Sequence, residues 1–174
     1  MSNKILFGLL AIICLTLVSC DKLKDALPDV SITPNLSTGN IPINALKAAE
    51  TYTKDTTITA TAVLDAIKNA GQSTTAVKTV VVTTFELTIP ASVSWTFADI
   101  ESASVLINDI VVGTLPAGTT GKVATFTAPA TQPDVKAAIL STSGFKLKYT
   151  IKAKNATTAT LLTGILKTKV TIGA

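Results

Sequence analysis

No histidine occurs anywhere in the 174 residues, and all 15 basic residues are lysine. The first absence removes Ser-His-Asp and Cys-His nucleophilic catalysis, together with every histidine-ligated metal site. The second removes the planar guanidinium fork that reads phosphates and base edges bidentately, so no nucleic-acid partner is expected. Cysteine is scarce as well. Cys14 and Cys20 are the only two, and everything beyond residue 20 lacks a thiol. No disulfide can then brace the body of the chain, whose stability must come from an apolar core. Glycine-rich nucleophile elbows are missing, and neither a cofactor nor a metal site is expected.

Charge of either sign is modest. Fifteen lysines against eleven acids give a net charge of +4, which keeps a domain soluble without marking it as a polyanion binder. What the chain does have in abundance is threonine, valine and isoleucine. Branched side chains of this kind favour pleated, half-buried surfaces.

The one long apolar run lies at the start. Lys4 supplies a positive charge, Ile5 to Val18 is almost wholly apolar, and small Ser19 precedes Cys20. This is the layout of a secretory signal peptide. The run is too short to span a bilayer, which takes about 20 residues. The segment reads Leu17, Val18, Ser19, Cys20, then charged "DKLKD". It resembles the lipobox of bacterial lipoproteins, and the resemblance covers residues 1–20 only. It implies cleavage between Ser19 and Cys20, a diacylglyceryl group on the Cys20 sulfur, and usually an acylated new N-terminus. Each buried methylene contributes about 0.8 kcal/mol, so several acyl chains anchor far more firmly than one. Asp21 resembles the inner-membrane retention signal of enterobacterial lipoproteins, a signal that many other bacteria do not read. The expected address is the outer membrane of a diderm bacterium.

Three segments follow from this reading: residues 1–19 as signal peptide, 20–28 as lipidated cysteine and tether, and 29–174 as one β-domain. The mature chain would keep 14 lysines and 11 acids, a net +3. Within the domain, period-two alternation marks the strands. Residues 29–43 hold two short extended pieces punctuated by Pro34, Gly39 and Pro42. "TTITATAVL" (56–64) alternates as a strand, and 64–71 reads as a short helix ending at Gly71. "VKTVVVTTFELTI" (77–89) is the clearest long strand, with Val77, Val81, Phe85, Leu87 and Ile89 on its inner face. "WTFADI" (95–100) suggests a single helical turn. "SASVLINDIVV" (102–112) and "KVATFTA" (122–128) read as further strands. Around 133–140 a second short helix is expected, with Thr131 as cap.

The final stretch is the most regular. "FKLKYTIKAK" (145–154) places Phe145, Leu147, Tyr149, Ile151 and Ala153 on one face and lysines on the other. "NATT" (155–158) reads as a turn, "ATLLTGILKTKVTI" (159–172) as the returning strand, and the hairpin would set Ile151 beside Leu162 and Tyr149 over Gly164. In that arrangement Leu161 and Ile165 stay outside, among lysines. Seven or eight strands with few helices predict an antiparallel β-sandwich, immunoglobulin-like or similar.

Candidate chemistry is sparse. Asp99, Glu101, Asn108 and Asp109 could supply oxygens to calcium or a carboxylate pair to a glycosidase, although they lack the spacing of an EF-hand and read more simply as solvated turn acids. Trp95 reads as a core or rim residue rather than a sugar-stacking platform. Lys146, Lys148, Lys152 and Lys154 share a face, joined in a hairpin by Lys167 and Lys169. This basic patch suits anionic lipid or acidic glycan, or else simply discourages edge pairing. The expectation is a non-enzymatic, lipid-anchored envelope protein that binds or scaffolds at the membrane surface. The alternatives are a carbohydrate-active hydrolase and an accessory subunit of an envelope assembly.

Overall fold

The structure, a computed structural model, describes residues 28–173. The expected signal peptide, the expected Ser19–Cys20 cleavage site and most of the expected tether lie outside the described residues. From Val30 onward the chain folds as an antiparallel β-sandwich of two sheets. Nine strands form it: β1 (Val30–Ile32), β2 (Asn35–Ile43), β3 (Thr51–Ile58), β4 (Val77–Thr88), β5 (Ile100–Ile107), β6 (Ile110–Thr114), β7 (Val123–Phe126), β8 (Phe145–Ala153) and β9 (Thr160–Ile172). Two short helices, α1 (Thr61–Asn69) and α2 (Lys136–Ile139), connect them.

The first sheet is built on β9. Its alternation runs unbroken, with Leu162, Leu166, Val170 and Ile172 fully buried. On one side it pairs with β4, and β7 adds beyond β4. On the other side β1 and β2 follow one another along it. Pro34 manages the handover between those two short strands. Its carbonyl accepts both the Thr168 backbone N–H at 3.1 Å and the Thr168 hydroxyl at 3.0 Å, so a fully buried threonine is satisfied in an apolar layer.

The second sheet has the order β3-β8-β5-β6. All five inward residues of β8, Phe145 to Ala153, are buried as the alternation requires. The sequence expectation for the next step does not hold. β8 and β9 are not a hairpin: the first pairs with β3 and β5, the second with β1, β2 and β4. Residues 154–159 carry the chain from one sheet to the other. Leu147 and Ile151 are therefore buried in the second sheet, and Leu162 and Leu166 in the first, where a hairpin would set them side by side. Tyr149 does not cover Gly164. A methyl on Gly164 would meet the Phe85 ring at 2.9 Å and the Thr38 hydroxyl at 2.5 Å.

Further corrections have local causes. The inner face of β4 is Val77, Val80, Val82, Phe85 and Leu87, and Val81 turns partly outward. Register shifts between Val77 and Thr79 and between Val82 and Thr84 each add one residue, and each reverses the alternation. The expected strand at 102–112 is two strands. Asn108 and Asp109 adopt φ of 46° and 68° and form the two-residue turn of a hairpin, which needs left-handed backbone at both positions. The expected strand over 56–64 stops at Ile58. The helix starts at Thr61, so it buries Val63 and Ile67 one turn apart, and Leu64 lies only partly inside. Gly71, at φ 71°, ends that helix by donating to the Lys68 carbonyl. Thr131 caps nothing in the short helix over 136–139, whose preceding residue is Val135. Asp134 instead accepts from the backbone N–H groups of Val80 and Lys136, both at 2.9 Å, and ties the helix start to β4.

The sandwich has two ends. β1 and β4 both begin opposite Ile172, and α1 leads from Ile58 back to that level. We call this the near end. Residues 44–50, 89–99, 115–122 and 154–159 make the far end. Along one side the two sheets are linked, because Thr114 on β6 exchanges backbone hydrogen bonds with Thr127 beside β7. The opposite edges are β2 and β3. β2 carries a bulge and Pro42, and β3 carries Lys54 and Asp55, all features that resist further strand addition.

Candidate functional site

β8 lies between β3 and β5, so its outward lysines occupy the middle of an exposed sheet face. Lys146, Lys148 and Lys152 are on this strand, and Lys154 lies just past its end. The topology separates them from Lys167 and Lys169, which project from β9 on the outer face of the other sheet. The six lysines do not form one patch. Nor is the group of four bare. Lys148 pairs with Asp109 and has Asp55 opposite it in register. Lys152 reaches Glu101 at 2.8 Å. The hydrogen bond and charge of Lys148 hold the Asp109 carboxyl below its usual range and raise the ammonium in turn. The face is thus a lattice of mixed charge, and exposed pairs of this kind add little to stability.

The oxygen-rich group of the sequence is dispersed in the same way. Asp99 belongs to a capping box: its carboxylate accepts from the Thr96 backbone at 2.8 Å, and the Thr96 hydroxyl accepts from Ala98. The Asn155 amide donates to its other oxygen at 2.9 Å. Asn108 accepts from the Lys146 backbone at 2.9 Å and extends the β5–β8 ladder by one pair. Glu101 and Asp109 stand at opposite ends of β5, about 25 Å apart at the usual rise per residue. Glycosidase carboxylates sit about 5–9.5 Å apart, so these two cannot share a substrate bond. Among the described residues no three acids gather as a cation site would require.

The far end has its own buried polar support. Trp95 is buried, as the sequence reading preferred, and its indole donates to the Thr158 carbonyl at 3.0 Å. Lys122 donates to the carbonyls of Val93 and Trp95, closing the loop before β5. Tyr52 and Tyr149 lie 6.5 Å apart, and both hydroxyls point at the Pro42 carbonyl. Burial, reinforced by Tyr52, pushes the Tyr149 phenol above its ordinary range and keeps it neutral.

Two shallow clefts flank β8. The near-end cleft, about 410 Å³, is lined by Thr57, Asn108, Asp109, Ser143 and Lys146 among others. The far-end cleft, about 390 Å³, is lined by Ala98, Glu101, Gly118, Thr120 and Lys154 among others. Each brings one acid and one lysine among neutral groups, and neither brings two carboxylates together. The sequence signals for the two clefts were thin. The Asn108–Asp109 pair was visible as two residues that tolerate left-handed backbone, whereas the far-end cleft joins Glu101, Thr120 and Lys154, which are far apart in the chain.

Asp99 gives a pH prediction. The Asn155 hydrogen bond and the Thr96 backbone N–H hold its carboxyl below the ordinary value of 3.8. Its contribution to stability is then complete above 3.8 and lost as the pH falls through the lower folded value. Asp99→Asn is expected to lower the melting temperature at neutral pH, with the gap from the parent closing below pH 3.8. A gap that stays constant across that range would show that the carboxylate charge contributes nothing.

No protein-family model, no curated protein and no solved structure matches the chain.

Proposed function

We propose that this protein is a non-enzymatic cell-envelope lipoprotein, a lipid-anchored β-sandwich that binds or scaffolds at a membrane surface. The observation that carries the reading is "LTLVSC" closing the apolar N-terminal run, with Cys20 followed at once by a charged stretch. The layout behind it supports the same reading. The sandwich begins at Val30, so cysteine, short polar tether and self-contained core follow in the order of an anchored domain. The acids that would serve a hydrolase are each engaged elsewhere, in a cap or in lysine pairs.

Fractionation of the native host tests this reading. The parent is expected in the membrane fraction, and Cys20→Ala in the soluble fraction or unprocessed. A Cys20→Ala chain that is processed to mature length and still associates with membranes as the parent does would remove the acyl anchor from the account.

One observation favours a second role, as an accessory subunit of an envelope assembly. Leu161 and Ile165 remain 50% and 39% exposed on the outer face of the first sheet, and Val123 two strands away is 51% exposed. Isolated exposed apolar residues are common on soluble proteins, so this role ranks below simple anchoring.

A further inference from the structure

If Cys20 is the anchor, the fold determines which end of the domain can meet the membrane. β1 starts at the near end, with Val30 opposite Ile172 and Asp29 held to Lys78 at 2.7 Å. From Cys20 to Val30 there are ten residue steps, at most roughly 36 Å of extended chain. The sandwich is longer than that. β9 alone runs for 13 residues, about 40 Å at the usual strand rise. Turning the far end toward the bilayer would lift Val30 about 40 Å above it, beyond the reach of the tether.

We propose that the near end of the sandwich rests against the lipid headgroups of the membrane that holds Cys20, and that the far end projects away from it. The proposal rests on the anchored reading above. The near-end surface suits a headgroup layer. Its exposed loops present the hydroxyls of Ser73, Thr74, Thr142 and Ser143, which can hydrogen-bond to phosphate or glycerol oxygens, and Ile110 at the hairpin turn is 40% exposed. The near-end cleft beside Asn108 then opens toward the bilayer. The far-end cleft, between Glu101, Thr120 and Lys154, opens toward the aqueous side, where a soluble partner would meet it.

The absence of thiols beyond Cys20 makes the test direct. Thr74→Cys and Thr120→Cys, each in the full chain processed by a lipoprotein-exporting host, provide single labelling sites at the near and far ends. Both positions are exposed. The labelled proteins are placed in vesicles containing a headgroup-attached nitroxide quencher. The label at residue 74 is expected to be quenched several-fold more than the label at residue 120. Inserting a flexible run of about 20 Gly/Ser residues after Leu27 lengthens the leash and is expected to shrink that contrast. Equal quenching at the two sites, or stronger quenching at 120, would overturn the orientation. Intact mass of the same preparations separates the two levels of the argument. An unacylated Cys20 would overturn the anchor itself, whereas correct acylation with equal quenching would overturn the orientation alone.

Discussion

Leu147→Ala is expected to destabilise the domain by roughly 2–5 kcal/mol, the usual range for a fully buried leucine whose cavity cannot collapse completely. Leu147 sits in the middle of the second sheet, between Thr56 of β3 and Ile107 of β5, and its side chain has no exposure to solvent. A domain of this size is typically stable by about 5–15 kcal/mol, and no disulfide beyond Cys20 offsets the loss. The urea midpoint should fall well below that of the parent while the slope stays the same, which marks a change in stability rather than in the extent of unfolding. Lys152→Ala, one strand face away and pointing outward, should barely move the midpoint. Similar small shifts for both variants would mean that the inner face of β8 is not the core.

Gly164→Ala should cost about 1–3 kcal/mol, as expected when a methyl is forced into a filled space. The added carbon would meet the Thr38 hydroxyl at 2.5 Å and the Phe85 ring at 2.9 Å. Thr38 also donates to the Gly164 carbonyl at 3.1 Å, so the obstruction is held in place. Phe85 is itself fixed by an edge-to-face contact with Phe126, 5.3 Å between centroids. The identity of the obstructing ring gives the experiment its resolving power. Phe85→Leu in the Gly164→Ala background should cost less than the sum of the two single changes, because the new methyl enters the space that the ring vacates. Tyr149→Leu in the same background should simply add its own loss. The reverse pattern would place β8 over β9 as a hairpin, contrary to the observed pairing.

That contrast shows what could be read from the amino acids and what could not. The faces of β8 and β9 were legible residue by residue, because strict period-two alternation on an antiparallel strand fixes which side is buried. The partner of each strand was not. Alternation is equally well satisfied by two neighbours in one sheet and by two strands facing one another across a core. The choice here depends on residues 154–159, where Thr157 bridges to Leu46, Trp95 donates to the Thr158 carbonyl and Asn155 reaches Asp99. All of those partners are remote in sequence. In β4 even the faces were only half legible, since a bulge leaves no period of its own in a run such as "VVVTT". The basic patch failed for the same reason as the hairpin. Lys167 and Lys169 alternate correctly on β9, but that strand belongs to the other sheet.

The mature N-terminus bears most directly on the central claim. Intact mass spectrometry of the protein purified from its native membrane should show a chain that begins at Cys20 and carries acyl chains there. A chain that begins anywhere else, or an unmodified Cys20, would contradict the account of this β-sandwich as a lipoprotein.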